Sequence, residues 1–336
     1  MKYNQLGRSG LYVSELSLGT MTFGETNGRG ADEATSIRMI HRYLDAGGNH
    51  LDGANVYAGG TSEEIIGKAL VGKREDVILA TKVNFPMADG INRKGLSRQS
   101  IIREVDESLQ RLQTDYIDLY YMHAWDTIAP IEESLRAFDD LVRSGKVRYI
   151  GVSNFKAWQL MKSLAVSDAK NLERFVAAQF QYSLVMRDIE DEYIDLFQHE
   201  GLGLLPWGPL GGGFLSGKYQ PDQRPATFSD GRIGGMEEHT EEHWDRRNTQ
   251  QNWDILEAVG QIAETHGASY PQVAIAWLKA QPTVTSVILG VRTPEQLEDN
   301  LGAISVELTG EEITRLNQLS APAERYPYRF LSAYAR

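Results

Sequence analysis

The sequence predicts a single α/β domain folded as a closed (β/α)8 barrel. Three observations carry that expectation. Short apolar runs alternate with amphipathic helical stretches, which implies a parallel sheet whose strands are joined by crossover helices. The alternation reaches eight strands without a linker, and that count favours a barrel over an open doubly wound sheet. A chain of 336 residues can hold one large barrel, although two average domains would also fit in it.

Tyr3 to Glu15, with the turn composition Arg8-Ser9-Gly10, reads as an N-terminal β-hairpin placed to cover one end of the fold. Leu16 to Met21 is the first barrel strand. Ile37, Ile40 and Leu44 give the next stretch helical spacing, and Gly47-Gly48 stops it. The unit then recurs: strand Asn49 to Asp52 and helix Ser62 to Val71, strand Val77 to Lys82 and helix Ser97 to Leu112, strand Tyr116 to His123 and helix Ile131 to Ser144. Strand Val147 to Ser153 precedes helix Lys156 to Ala169, and strand Phe175 to Tyr182 precedes helix Asp191 to His199. The seventh strand is Leu202 to Trp207.

A long loop follows, Gly208 to about Gln250, rich in glycine, proline and charge; a loop of this length is a lid, a binding loop or a disordered excursion. Helices Asn252 to Thr265 and Pro271 to Gln281, the eighth strand Val284 to Gly290, and helices Pro294 to Leu301 and Thr309 to Leu319 complete the pattern. The aromatic tail Ala321 to Arg336 either packs over the mouth of this TIM-type barrel or frays. One domain spanning residues 1–336 suffices.

Composition narrows the function. The 41% hydrophobic and 24% charged residues are those of an ordinary globular protein with an ample core. A net charge of -12 with no basic run argues against nucleic acid. No apolar run approaches a membrane span, and the first residues lack the apolar centre of a signal peptide, so a cytoplasmic location is expected. The absence of cysteine excludes disulfides, thiolate metal sites and thiol nucleophiles.

Chemistry gathers at strand ends. Asp52, Lys82 and His123 end three consecutive strands, and Tyr57 lies just after the first of them. In a barrel these ends open on one face, so the four side chains would meet there. A phenol is a poor acid near neutral pH unless a cation stabilises its phenolate, and a buried lysine needs a carboxylate beside it. Together they suit proton transfer at a carbonyl or alcohol oxygen, with Tyr57 as general acid, Lys82 activating it, Asp52 holding Lys82 and His123 orienting the oxygen. Each residue alone reads as a cap or a satisfied polar group. A reduction would need a cofactor, since no side chain supplies a hydride.

Asp52-X4-Tyr57, Thr81-Lys82, Tyr121-Met122-His123, Gly151-Val152-Ser153-Asn154-Phe155 and Gly290-Val291-Arg292-Thr293-Pro294-Glu295-Gln296-X3-Asn300 resemble the aldo-keto reductase superfamily from about Leu6 to Leu319. The resemblance implies a catalytic tetrad of Asp52, Tyr57, Lys82 and His123, and a nicotinamide cofactor across the barrel mouth, with NADPH (NADP+) preferred over NADH. It assigns Ser153, Asn154 and Gln179 to the carboxamide, Trp207 to the ring face, and Gly208, Pro209, Leu210, Gly211, Leu215, Gly217 and Lys218 to the pyrophosphate side. Arg292 falls to the adenosine 2′-phosphate, Gln296 and Asn300 follow at four-residue spacing and can face the same ligand, and Gly19, Thr20, Met21, Asp52 and Gly290 join the cofactor contacts. Tyr57, Asn84, Phe85, His123 and Trp125 would line the substrate pocket, with Phe214 and Phe228 in a lid. Trp207-Gly208 replaces a frequent tyrosine-serine pair, so contacts of that serine do not carry over; glycine at position 53 replaces a frequent threonine.

The implied activity is reduction of aldehydes, ketones or sugars to alcohols by a monomeric protein. An NAD(P)+-dependent alcohol or sugar dehydrogenase is the reverse reading, and the fold is also similar to potassium-channel β subunits, which bind NADPH and act as partner proteins. Two further motifs are set aside. Gly212-X4-Gly217-Lys218 lacks the Ser or Thr of a P-loop at Tyr219, and His239-Thr240-Glu241-Glu242-His243 has zinc-ligand spacing on a charged stretch, so no metal is expected.

Overall fold

The computed structural model describes residues 1–25, 30–227, 231–240 and 242–334. Strands β1 (Tyr3–Gln5) and β2 (Tyr12–Ser14) pair antiparallel, Tyr3 opposite Ser14. The barrel strands are β3 (Leu16–Gly19), β4 (His50–Asp52), β5 (Ile78–Val83), β6 (Ile117–Met122), β7 (Val147–Ser153), β8 (Phe175–Gln179), β9 (Gly203–Leu204) and β10 (Val287–Gly290). They form one parallel sheet in the order β10-β3-β4-β5-β6-β7-β8-β9. The two ends meet: Leu204 bridges Val284 in parallel, and the N–H groups of Thr285 and Ile288 donate to the carbonyls of Leu204 (2.8 Å) and Pro206 (3.0 Å). The sheet is therefore a closed (β/α)8 barrel.

Helices α1 (Glu33–Asp45), α2 (Thr61–Ala69), α3 (Arg98–Leu112), α4 (Ile131–Arg143), α5 (Ala157–Lys170) and α6 (Tyr193–Glu200) alternate with the strands. Then come α7 (Trp244–Arg247), α8 (Gln250–His266), α9 (Tyr270–Lys279), α10 (Pro294–Leu301), α11 (Gly310–Leu319) and α12 (Tyr328–Tyr334). The chain divides into two compact groups, one of Met1–Phe180, Leu196–Trp207 and Thr283–Leu301, the other of Gln181–Asp195, Gly208–Pro282 and Gly302–Arg336.

The first group holds the hairpin and all eight barrel strands. Leu6 and Val13 of the hairpin are fully buried and share one apolar cluster with Ala80, Leu119, Tyr121, Ala177 and Ile288 from the strands and with Leu205, just after β9. The hairpin thus supplies core to one end of the barrel, as its composition suggests. Ser97 caps α3 by accepting from the Ser100 N–H, which satisfies a donor the helix leaves open.

In the second group, α8 packs with α9 and α11. Ser269 with Gln272 and Thr309 with Glu312 form reciprocal capping boxes at the starts of α9 and α11. Phe214, Tyr219, Trp244 and Trp253 form an aromatic cluster there, with Phe214 and Trp253 centroids 4.8 Å apart.

Several boundaries depart from expectation. The seventh strand is two residues long where Leu202 to Trp207 was expected, since Pro206 has no N–H to give a ladder. The sixth ends at Gln179, three residues short of Tyr182, and regular pairing in the eighth begins at Val287. The first ends at Gly19, where Thr20 turns its N–H to the Asp52 carbonyl. The 208–250 stretch contains 3-10 turns at Gly211–Ser216 and Arg232–Gly235 besides α7. Phe228 lies outside the described residues.

Candidate active site

Asp52 ends β4, Lys82 is the fifth residue of β5 and His123 follows β6, while Tyr57 opens a 3-10 turn after β4. Parallel pairing in register puts these positions side by side, with Asp52 opposite Ala80 and Lys82 opposite Tyr121. Lys82 is fully buried and Asp52 nearly so. An ammonium has three hydrogens to place. Lys82 Nζ donates to Asp52 Oδ2 at 2.7 Å, to the Gly53 carbonyl at 2.7 Å and to the Tyr57 hydroxyl at 3.2 Å. Burial pulls the Lys82 pKa down, but the charge and hydrogen bond of Asp52 and the contact with Tyr57 outweigh it and leave it above the ordinary lysine value.

Asp52 has a second anchor. Its Oδ1 accepts from Gln179 Nε2 at 2.7 Å, Ser153 Oγ donates to the Gln179 carbonyl at 2.8 Å, and Asn154 Nδ2 donates to Ser153 Oγ (2.9 Å) and to the His123 carbonyl (3.0 Å). Asn154 makes both bonds from a left-handed backbone (φ 53°), a conformation asparagine tolerates better than most residues. One hydrogen-bonded chain therefore joins Tyr57, Lys82, Asp52, Gln179, Ser153, Asn154 and the His123 backbone.

The His123 ring stands edge-on to Tyr57 (centroids 6.1 Å, 79°) and to Phe85 (4.7 Å, 69°). Its Nδ1 is buried with no hydrogen-bond partner among the described residues. Burial, and then the Lys82 charge, hold its pKa down to about 3, so the ring is neutral at neutral pH. Trp125 packs edge-on against Phe155 at 5.1 Å. The Asn84 carbonyl accepts from the Gly95 N–H at 2.6 Å.

Among the residues expected at a cofactor, Thr20 is buried with its hydroxyl between the Asp52 carbonyl and Ser62 Oγ, while Met21 is 43% exposed. Gly19 abuts Ile288, and Gly290 has open space where a Cβ would stand. The Trp207 N–H bonds the Phe180 carbonyl. Gln296 Oε1 accepts from the Arg292 N–H at 2.9 Å. The Arg292 guanidinium and the Asn300 carboxamide have no hydrogen-bond partner among the described residues, although Asn300 is only 4% exposed.

In the second group, Gly208, Gly211 and Gly217 have positive φ (68°, 56° and 76°), the Gly211 N–H closes a turn on the Gly208 carbonyl, and Leu215 is buried. Lys218 Nζ lies 4.9 Å from the Tyr219 ring centre. Pro209 and Leu210 continue that turn. His243 caps α7, and among the described residues no group of three or more His, Asp or Glu is arranged to hold a metal. No described helix is long and apolar enough to cross a membrane.

Sequence reasoning missed the Gly53 carbonyl as the third acceptor for Lys82, because a main-chain atom leaves no mark in residue type. It also missed that Gln179 spends its amide on Asp52. Tyr121, fully buried with its ring centre 5.9 Å from Lys82 Nζ, supports the ammonium from a strand the motif had already singled out.

The strand ends of this barrel bring a carboxylate, an ammonium, a phenol and an imidazole together, a set of groups that can exchange protons with an oxygen. A model of the Aldo/keto reductase family matches residues 15–321. The chain is 39% identical to an uncharacterized oxidoreductase, YrpG, of Bacillus subtilis (95% of this chain, 96% of that one). It is 37% identical to a probable voltage-gated potassium channel subunit beta of Oryza sativa (98% and 100%) and 35% identical to a norsolorinic acid reductase of Aspergillus flavus (96% and 82%). The chain belongs to the aldo-keto reductase family.

Proposed function

We propose that the protein reduces aldehydes or ketones to alcohols with NADPH, Tyr57 giving the proton. The observation that carries this reading is the division of Lys82 Nζ among Asp52, Gly53 and Tyr57. The phenol oxygen accepts in that contact, so the contact does not consume the phenol's own hydrogen. A neighbouring ammonium favours a phenolate, which makes the proton easier to release to a carbonyl oxygen. His123, neutral and with Nδ1 enclosed, offers Nε2–H to orient that oxygen.

The residues fit a nicotinamide dinucleotide phosphate. Arg292, Gln296 and Asn300 recur every fourth residue, so they share a face, and an uncommitted guanidinium suits a phosphate bidentately. Ser153 and Asn154 would hold the carboxamide and Trp207 the ring face. When bound, the cofactor supplies the hydride that reduces the carbonyl carbon. The name of the Aspergillus flavus relative supports the reductive direction. The Oryza sativa relative favours a second reading, an NADPH-binding partner protein, which vigorous turnover by a monomer would reject.

Tyr57→Phe should lower kcat on 4-nitrobenzaldehyde by about 10²–10⁴-fold while quenching of protein fluorescence by NADPH persists. Undiminished turnover defeats the tyrosine mechanism. Arg292→Ala should raise KM for NADPH by about 10- to 150-fold and leave that for NADH unchanged, because a charge-assisted phosphate contact is worth about 1.5–3 kcal/mol; steady-state kinetics with both cofactors check it.

A further inference from the structure

Behind the turn that carries Tyr57 lies a pair of side chains the mechanism does not use. Asn55 and Glu104, the latter on α3, are 0% and 1% exposed. Asn55 Nδ2 donates to Glu104 Oε2 at 2.9 Å. Each partner then keeps one buried oxygen, Asn55 Oδ1 and Glu104 Oε1, without a hydrogen-bond partner among the described residues. While the carboxyl is ionised neither oxygen can serve the other, since both only accept. A single proton resolves both: a carboxylic acid offers one donor and one acceptor, the complement of a carboxamide's acceptor and donor.

The surroundings favour that proton. Arg93 spends both terminal nitrogens on Glu107 (2.8 and 3.0 Å), and Arg111 is bound to Glu63 (2.7 Å) and Ser108 (3.2 Å). Burial pushes the Glu104 carboxyl up; the Asn55 bond opposes this, Glu107 adds to it, and Arg93 and Arg111 oppose it more weakly. Tyr120 on β6, also facing Glu104, is fully buried and neutral, its own pKa raised by burial.

We propose that Glu104 is a positioning residue held as a neutral carboxylic acid, closing a two-bond cyclic pair with the Asn55 carboxamide and thereby fixing the turn that delivers Tyr57 to Lys82. That turn is otherwise tied to β5 through Gly53 N–H to the Ala80 carbonyl (2.8 Å) and Asn55 N–H to the Lys82 carbonyl (3.2 Å). Asn55 is thus held from its backbone on one side and its side chain on the other, two residues before the phenol. The kinetic consequence rests on Tyr57 being the proton donor; the protonation state does not.

Infrared difference spectra of wild type against Glu104→Gln at neutral pH read the carboxyl directly, and a protonated C=O stretch is expected. Glutamine repeats the acid's donor and acceptor, so Glu104→Gln should keep kcat within about twofold, whereas Glu104→Leu should lower it about tenfold with KM little changed, the mark of a misplaced catalytic group. An ionised carboxyl, or a Gln variant as impaired as the Leu variant, overturns the proposal. If the Leu variant does not fold, the spectrum and the Gln variant decide. Tyr57→Phe measured alongside separates the two claims: full turnover there defeats the reductase mechanism and leaves the carboxyl spectrum as evidence on Glu104.

Discussion

Lys82 is the residue on which the site's electrostatics turn. A fully buried ammonium is tolerable only because three acceptors meet its three hydrogens, and the same contacts tie Asp52 and Tyr57 to each other. Lys82→Met should therefore lower kcat by about 10²-fold or more and cost about 3–5 kcal/mol in urea unfolding, since it strands a buried carboxylate. The double variant with Asp52→Asn should recover much of that stability and none of the turnover. Equal losses of stability in single and double variants would show that Asp52 is not the partner that matters. The types and order of these residues were legible in the sequence. The use of the Gly53 carbonyl and the engagement of Gln179 with Asp52 were not, because both depend on where a main chain passes and which way an amide turns.

Among the elements, β6 and β7 set the floor under Lys82. Gly151 on β7 faces the Tyr121 ring so closely that an added Cβ would stand 2.5 Å from Tyr121 Cδ1, and that ring is fully buried. Gly151→Ala should cost about 1–3 kcal/mol by overpacking and lower kcat as Tyr121 shifts against the ammonium; a thermal melt with an activity assay checks both. A variant of wild-type stability would mean the ring has room the structure does not show. Helix and strand identity followed from periodicity in the eight βα units, whereas α7 and α12 fall in stretches read as a loop and a tail; Ser97 caps α3 and Thr309 caps α11. Ends were less legible. Gln113, Asn154 and Asn171 take left-handed conformations that residue type only weakly signals, and β9 shrinks to two residues beside Pro206.

At the scale of the molecule, the barrel encloses polar groups that couple its stability to pH. His50 is fully buried with Nδ1 2.7 Å from Ser17 Oγ, and burial holds its pKa down to about 4. In the unfolded chain the ring would protonate near its ordinary value of about 6.5. The unfolded state therefore binds the extra proton between those values, so the neutral ring's contribution is complete above about pH 6.5 and is lost as pH falls towards about 4. From about pH 7 to about pH 5, wild type should lose roughly 2 kcal/mol more than His50→Gln in urea unfolding. Parallel pH profiles for the two proteins would reject a neutral buried His50. His123, held down to about 3, acts in the same direction.

By itself the sequence determined the barrel, its eight strands and the residue types at the strand ends, because hydrophobic period and turn chemistry are local properties that survive without a partner in space. Only the tertiary structure decided which acceptors Lys82 reaches, that His123 is neutral, and that Glu104 sits against Asn55. Those outcomes follow from burial and from distances between segments far apart in the chain, and neither quantity exists until the barrel has closed.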